Sequence, residues 1–317
     1  MTSAVTRCVL AATALFQSFI ASAEADTYRA NLSTIGAVTK NTEDTETTRS
    51  PVAGLQVFFK PVNNDPEQAF DQHEFIQRAS NLYLAVAPTD METTTYNTYL
   101  SKTTTSNTYL STTSLSVTYY QGDVFAKLGY VKGSGGIKYK NTSSNLYDLQ
   151  SQSSSYAAGY YLFPLSQISL GVDKTLLSFT ANTIGMTALS DDVTTKSSLT
   201  SKTLWHIGQQ QSLCFELSLR DIRHEYKNTY HNYEADVSLK YYPVPAGYAQ
   251  LQLTRNQGEY KVNTGLTTIL AAGNTSMLAG GYAFTPRLSL YAAYLSFTAS
   301  GTKNDNHSVL VAGNYRF

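Results

Sequence analysis

Apolar and polar residues alternate one by one through most of this chain, and that period limits the fold more than any other feature. In segment 212–220, Leu213, Phe215, Leu217 and Leu219 alternate with Cys214, Glu216, Ser218 and Arg220. Successive side chains of a strand point to opposite faces, so this period predicts strands with one apolar and one polar face. After residue 25 no run of 18 apolar residues occurs, so the sequence predicts no transmembrane helix.

The composition agrees with a β-protein. Charged residues make up only 15% of the 317 residues, against the usual quarter or so, and there are 24 Tyr. Tyr and Thr are good strand formers. The net charge is +0, without a basic stripe, which argues against nucleic acid as a partner.

Two kinds of break separate the alternating segments. Short ones lie near Gly122, Pro164, Gln210, Pro245 and Pro286, with a somewhat longer one at 61–73, whereas long polar ones lie at 39–49, 88–107, 140–154 and 182–198. An up-and-down sheet with tight turns on one rim and long loops on the other gives this pattern. Counting two strands for each short break, plus the first and last, predicts about 14 strands, within a range of about 12–16.

Soluble β-sandwiches also alternate, but three features favour a membrane barrel. Several apolar rows are long enough for the roughly 10-residue tilted strand that crosses a bilayer. Aromatic residues cluster at row ends, as in interfacial girdles, and loop lengths alternate. We therefore predict an all-β, transmembrane up-and-down antiparallel β-barrel that forms a single domain over residues 26–317. The aromatic clusters are Tyr119–Tyr120, Tyr160–Tyr161, Tyr241–Tyr242 and Tyr282 with Phe284.

The first 25 residues have the features of a secretory signal peptide. Arg7 supplies the positive charge, an apolar run follows over 8–20, and Ala23 or Ala25 ends a small-residue cleavage site. A lipoprotein signal would need a cysteine after the apolar run, whereas Cys8 opens it. Cys214 is then the only mature cysteine, which excludes an intramolecular disulfide.

The chain ends in an aromatic residue on an alternating strand. Phe317, Tyr315, Val311 and Val309 share one face, and Gly313 interrupts the apolar row. With the signal peptide and the strands, this ending resembles bacterial outer-membrane β-barrel proteins. The resemblance implies location in the outer membrane, with a lipid bilayer around the barrel. It also implies that the barrel-assembly machinery reads the last strand, which closes against the first.

Length and turn spacing resemble small porins of about 14 strands, without a specific family. On the polar faces, charges are too numerous for a packed core, and a water-filled lumen would accommodate them. We predict that the pore is lined by Lys127, Asp173, Glu216, Arg220, Asp236, Lys240 and Arg287.

Two of the predicted strands form a hairpin around Asn228. A turn centred there places Glu216 opposite Lys240 and Arg220 opposite Asp236, so we expect these four side chains to contact one another. A slip of two residues would pair Arg220 with Glu234 instead. The charges would either set up a field that biases ion passage or form a ladder that only stiffens the wall.

Catalytic and metal-binding arrangements are not evident, so we predict no enzyme, no metal site and no cofactor. Asp71 and His73 lie in a break at the periplasmic rim, where we expect a solvated pair. Asp221 and His224 fall on opposite faces of a strand, so they could not form a catalytic pair. Asn306, His307 and Ser308 are consecutive, so on a strand they could not converge into a Ser/His/Asn catalytic site. HxH, HExxH and nucleotide-binding patterns are missing.

The segment 97–101, Asn-Thr-Tyr-Leu-Ser, recurs at 107–111. The stretch Thr93–Ser106 would either extend away from the membrane or fold into the lumen and narrow it. The sequence as a whole predicts a passive channel for small hydrophilic solutes or ions. The alternative is a non-channel barrel serving as an adhesin, receptor or structural surface protein. Both a monomer and a trimer are compatible with the sequence.

Overall fold

The computed structural model describes residues 27–41, 47–49, 51–97, 102–139, 147–181, 189–208, 210–225, 229–261, 267–299 and 305–317. The predicted signal peptide, residues 1–25, lies outside these ranges and stays a prediction. Among the described residues, no helix is long and apolar enough to cross a membrane.

Fifteen strands and one short helix make up the described chain. The strand β2 has only three residues, and the other fourteen form the barrel. The elements are β1 (Thr27–Asn41), β2 (Thr47–Arg49), β3 (Val52–Asn63), α1 (His73–Ile76), β4 (Asn81–Asn97), β5 (Lys102–Gln121), β6 (Val124–Tyr139), β7 (Tyr147–Phe163), β8 (Ser166–Ala181), β9 (Leu189–His206), β10 (Ser212–Glu225), β11 (Thr229–Val244), β12 (Gly247–Lys261), β13 (Thr267–Ala283), β14 (Leu288–Ala299) and β15 (Asp305–Arg316).

The sheet closes on itself through its first and last strands. Each barrel strand pairs antiparallel with its neighbour in sequence, and β15 pairs with β1 from Asn31↔Arg316 to Asn41↔Asn306. The last residue takes part, because the Phe317 N–H donates to the Ala30 carbonyl at 2.9 Å. Closure leaves the described strands without a free first or last edge, which a bilayer requires. The predicted all-β class, the antiparallel barrel and the number of strands are confirmed.

Along each strand, most apolar side chains point outward and most polar ones point into the barrel, as the period of two in the sequence predicts. On β6, Val124 and Leu128 point outward with 52% and 56% of their surface exposed, whereas Phe125 between them is 8% exposed inside the barrel. On β15, Val309 and Val311 are each 54% exposed on the outer face. The outer surface is therefore an apolar band.

The repeated stretch in the first half of the chain belongs to the wall. β4 and β5 pair without a register shift out to Asn97↔Lys102, so the described parts of Thr93–Ser106 are two paired strands. Residues 98–101 lie outside the described ranges. The described parts of the extension therefore continue the barrel wall and do not lie across the lumen.

Six connections join the strands on the rim where Thr27, the first described residue, and Phe317 lie. Most are tight, and the one after β5 has Gly122 at φ 61°, a conformation that favours glycine. The connection from β3 to β4, residues 64–80, is different, because it turns into the barrel. We call it the inserted segment, and we call its rim periplasmic by analogy with outer-membrane barrels.

Candidate functional site in the lumen

The inserted segment holds apolar residues that a solvated turn would not need. It starts with a local turn in which the Asp65 carboxylate accepts the Glu67 N–H at 2.9 Å. Ala69, Phe70 and Phe75 are then buried, at 3%, 8% and 7% exposure. Burial of these side chains against the wall supplies the free energy that holds the segment inside the barrel.

The first anchor of the inserted segment is Asp71, which binds two side chains of strand β11. The Lys240 ammonium lies 2.7 Å from the Asp71 carboxylate, and the Tyr242 hydroxyl donates to it at 2.6 Å. Gln72 donates to the same tyrosine oxygen at 2.9 Å. Burial tends to raise the pKa of Asp71, but the Lys240 charge and these hydrogen bonds outweigh it and hold the pKa below its usual value. Asp71 is therefore an ionised anchor.

A second anchor lies at the seam where the barrel closes. Arg316 points inward from β15 and donates to the Phe70 carbonyl, and its guanidinium lies 4.8 Å from the centre of the Tyr28 ring. The Phe70 N–H donates to the Pro245 carbonyl at 3.0 Å. The residue before the C-terminus thus links closure of the sheet to the inserted segment.

The far end of the inserted segment is held on the opposite wall. The Tyr161 hydroxyl of β7 donates to the Phe75 carbonyl at 2.9 Å, and the two rings lie 5.4 Å apart. Arg78 forms an ion pair with Asp123 at 2.6 Å, in the turn after β5. The segment therefore reaches across the lumen instead of following one side of it.

A small apolar core forms where the inserted segment meets the inward-facing side chains of the wall. Tyr242 has 0% of its surface exposed and Tyr161 has 2%. The cluster comprises Ala69, Phe75, Phe125, Tyr161, Leu204, Cys214 and Tyr242. Such packing occupies part of the lumen cross-section near the periplasmic rim.

Beside this core lies a polar cavity of about 390 Å³. Glu74 of the inserted segment faces it and accepts a hydrogen bond from Gln56 at 3.1 Å. Burial raises the pKa of Glu74, although Arg316 and Lys202 oppose the rise. Lys127 lines the cavity from the wall, together with amide and hydroxyl side chains of β3 to β8. Polar space therefore remains next to the inserted segment.

The seven residues predicted to line the pore lie in different surroundings. Lys127 faces the polar cavity, and Lys240 is occupied by Asp71. Asp173 is the register partner of Lys196, and Glu216 that of Lys202. Asp236 accepts hydrogen bonds from Gln252 and Thr254 at 2.6 and 2.8 Å. Arg287 belongs to the turn before β14, so its predicted position on a strand was wrong.

The expected register of the β10–β11 hairpin was wrong by two residues. Glu216 lies opposite Ser238 and Arg220 opposite Glu234, so the pairs are symmetric about position 227 instead of 228. Arg220 and Glu234 form an ion pair, which is the alternative pairing that the sequence allowed. Lys240 turns to the inserted segment instead of Glu216, so the four predicted side chains do not form one cluster.

The expected solvated pair at Asp71 and His73 was also wrong. His73 is 2% exposed, and its Nε2 lies 3.0 Å from the Asp65 carbonyl oxygen. Burial and the nearby Arg316 charge lower the pKa of His73. The signal that could have revealed the inserted segment was the presence of Phe70, Phe75 and Ile76 in a break between strands.

Comparisons with known proteins identify the fold. The monoaromatic hydrocarbon channel CymD is 8% identical with a TM-score of 0.59, over 92% of this chain and 89% of that one. The outer-membrane protein Omp33 of Acinetobacter baumannii is 13% identical with a TM-score of 0.50, over 93% and 100%. A deletion mutant of TodX, another monoaromatic hydrocarbon channel, is 8% identical with a TM-score of 0.50, over 93% and 91%.

These likenesses show the fold alone, and they confirm the resemblance to bacterial outer-membrane β-barrel proteins. No family model matches the sequence, and no curated protein matches it.

Proposed function

We propose that the protein is an outer-membrane channel through which small hydrophilic solutes or ions diffuse, and that the inserted segment narrows its periplasmic end. The observation that carries the proposal is the polar cavity of about 390 Å³ between the inserted segment and the wall. A lumen built only for stability would be filled with apolar side chains, whereas this space is lined by charges, amides and hydroxyls. Selection would come from its width and its mixed charges.

The proposed location is the bacterial outer membrane. The outward apolar residues and the closed sheet suit a bilayer, and proteins of similar fold are outer-membrane proteins. Export by the signal peptide and assembly by the outer-membrane machinery belong to the same proposal. A monomer and a trimer are the two candidate oligomeric states.

A second candidate is a barrel that passes no solute and acts as a receptor, adhesin or structural surface protein. The apolar core between the inserted segment and the wall favours it, because packed side chains exclude water from that part of the lumen. The polar cavity beside the core is the reason for preferring a channel.

Single-channel recording of the purified full-length protein in planar bilayers separates the two candidates. We expect discrete conductance steps, smaller than those of an open 16- to 18-stranded porin. Folded, inserted protein without any conductance steps would contradict the channel and favour the closed barrel.

Cysteine labelling tests the route through the channel. In a Cys214→Ala background, Lys127→Cys should react with a charged, water-soluble thiol reagent, and the reaction should lower the conductance. The matched control is Leu128→Cys, whose side chain points outward at 56% exposure, and whose modification should leave the conductance unchanged. If labelling lowered the conductance equally in Lys127→Cys and Leu128→Cys, solutes would not pass through the polar cavity beside the inserted segment.

A further inference from the structure

A groove on the outer face of the barrel is a site of a different kind. It has a volume of about 670 Å³ and runs across strands β8 to β12. The side chains along it that point outward include Leu170, Leu199 and Leu219, which are 66%, 38% and 45% exposed. The volume is within the range of small-molecule sites, roughly 300–1,000 Å³.

Short side chains make this part of the outer face concave. Across the β8–β11 ladders, Leu170, Leu199, Leu219 and Ala235 follow one another in register, and Val172 and Ser197 belong to the next outward row. Ser197 and Ala235 leave space beside longer side chains, such as Val172 next to Ser197 and Leu219 next to Ala235. The groove is therefore a gap between two rows of lipid-facing side chains.

The groove runs obliquely with respect to the membrane. Leu170 lies four residues after Ser166, where β8 leaves the periplasmic rim, whereas Arg255 lies eight residues after Gly247, where β12 leaves it. With about 3.3 Å per residue and a tilt of about 40°, Arg255 lies roughly 10 Å further toward the outer surface. One end of the groove is thus in the apolar band, and the other approaches the outer interface.

The outer end carries positive charge. Arg255 is exposed there, and among the described residues its guanidinium has no ion-pair or hydrogen-bond partner. The acid at that end, Asp221, is engaged by Arg223 at 2.9 Å. A guanidinium binds phosphate well, so the outer end suits an anionic head group and the inner end suits an acyl chain.

We propose that this groove binds an anionic, phosphorylated lipid of the outer leaflet, with its phosphate at Arg255 and an acyl chain along Leu219, Leu199 and Leu170. The inference rests on the membrane location given under the proposed function, but not on conduction. It assigns a lipid partner to a surface that would otherwise be one more apolar stretch of the wall. A second copy of the chain is the competing occupant.

Native mass spectrometry of the full-length protein tests the proposal, after delipidation in a nonionic detergent and titration with bisphosphorylated lipid A. We expect one lipid A to be retained more strongly than phosphatidylcholine. Arg255→Gln should weaken retention about 5-fold, as expected for one cation near an anionic lipid. Ala235→Trp, which fills the groove and keeps the arginine, should weaken it about 10-fold by displacing two or so methylene groups.

Matched controls lie on β6, a strand that the groove does not reach. Lys132 also points outward, eight residues after the start of β6, and Ala126 is an outward small residue on the same strand. Lys132→Gln and Ala126→Trp should leave lipid A retention within about twofold of the wild type.

The proposal is overturned if Arg255→Gln retains lipid A like the wild type, or if all four variants lose it equally. It is also overturned if Ala235→Trp converts an oligomer into a monomer while lipid retention is unchanged, because the groove would then hold a second copy. Conductance recorded on the same variants is independent of this result. If the barrel retained lipid A but never conducted, the proposed channel would be contradicted and the proposed lipid site would stand.

Discussion

The periplasmic end of the lumen and its middle are built from different interactions. In the middle, contacts join neighbouring strands in register, such as Arg220 with Glu234 and Thr200 with Ser218 at 3.2 Å. At the periplasmic end, contacts join residues far apart in sequence, such as Asp71 and Lys240. Contacts of the first kind run along the wall, whereas those of the second kind join the wall to a segment inside the barrel. What lies across the lumen at this end is therefore one inserted connection and not the barrel wall itself.

The largest expected effect follows removal of the inserted segment. Replacing residues 65–79 by a short Gly-Ser linker should raise single-channel conductance several-fold, because the lumen would keep its charged wall and lose the structure that crosses it. The measurement is planar-bilayer recording of protein whose folding is checked by heat-modifiable gel mobility. Unchanged conductance of a folded variant would show that the segment does not limit flow.

A smaller effect is expected when one anchor is broken and the segment is kept. Asp71→Asn leaves the Lys240 ammonium partly buried without a carboxylate, which should destabilise docking of the segment by about 2 kcal/mol. Hydrogen exchange of amides 68–76 should accelerate, and brief high-conductance events should become more frequent.

The matched variant for this test is Asp123→Asn at the other end of the segment. The Asp123 side chain is 50% exposed, so loss of its ion pair with Arg78 should cost under about 1 kcal/mol. Equal acceleration of exchange in both variants would contradict the dominant role given to the Asp71 anchor.

The two carboxyl groups of the inserted segment should respond to pH in opposite ways. The pKa of Glu74 is raised above its ordinary value of 4.5, so its contribution to docking is full at low pH and is lost as the pH rises through the raised pKa. The pKa of Asp71 is lowered, so its contribution is present above the ordinary value of 3.8 and is lost as the pH falls through the lowered pKa.

As the pH falls from neutral toward the raised pKa of Glu74, the cavity should therefore lose one negative charge while the Asp71 anchor stays intact. Reversal potentials in a salt gradient should shift toward anion preference over that window. Glu74→Gln should show the shifted value at neutral pH and little further change with pH. If the pH-dependent shift of the reversal potential were undiminished in Glu74→Gln, another titrating group would be its cause.

Changes in the middle of the lumen should alter selectivity more than conductance. Glu234→Gln frees the Arg220 guanidinium and should move the reversal potential modestly toward anions, and Arg220→Gln should move it the other way. Single-channel conductance should change far less than after removal of the inserted segment. If the reversal potential shifted in the same direction in both variants, Arg220 and Glu234 could not both face the lumen.

The smallest effect on conductance is expected at the chain end. Deleting Phe317 removes the residue whose N–H and carbonyl bond to β1 and whose ring stacks on Tyr315 at 6.4 Å. We expect less assembled protein in outer-membrane fractions, and an unchanged conductance for the barrels that do assemble. A normal yield of assembled barrels with an altered conductance would contradict this prediction, because Phe317 would then affect the lumen and not assembly.

Register shows how far the sequence could be used for prediction. Alternation fixed which residues of β10 and β11 share a face, since Glu216 and Arg220 lie on the same side whatever the turn. The pairing depended on where the turn begins, and one residue of difference moved Arg220 from Asp236 to Glu234. Local periodicity carries no information on turn position, so the sequence left both pairings open.

The inserted segment shows the opposite case, in which a local rule failed. Asp71 and His73 were expected in water because they lie between strands, and connections usually run over the surface. Their burial depends on Tyr242, Lys240 and Arg316, which are more than 160 residues away in sequence. Only closure of the barrel brings those partners together.

The sequence by itself determined that this chain forms a closed antiparallel barrel of about fourteen strands, because a period of two with apolar outward faces leaves few other ways to pair every backbone group. The resemblance to outer-membrane barrels also implied that the last strand closes against the first, and the structure pairs β15 with β1. Only the tertiary structure decided what occupies the lumen and where the outer wall is concave. Both depend on how strands far apart in sequence stand around a common axis, and the curvature and tilt of a closed sheet set that arrangement.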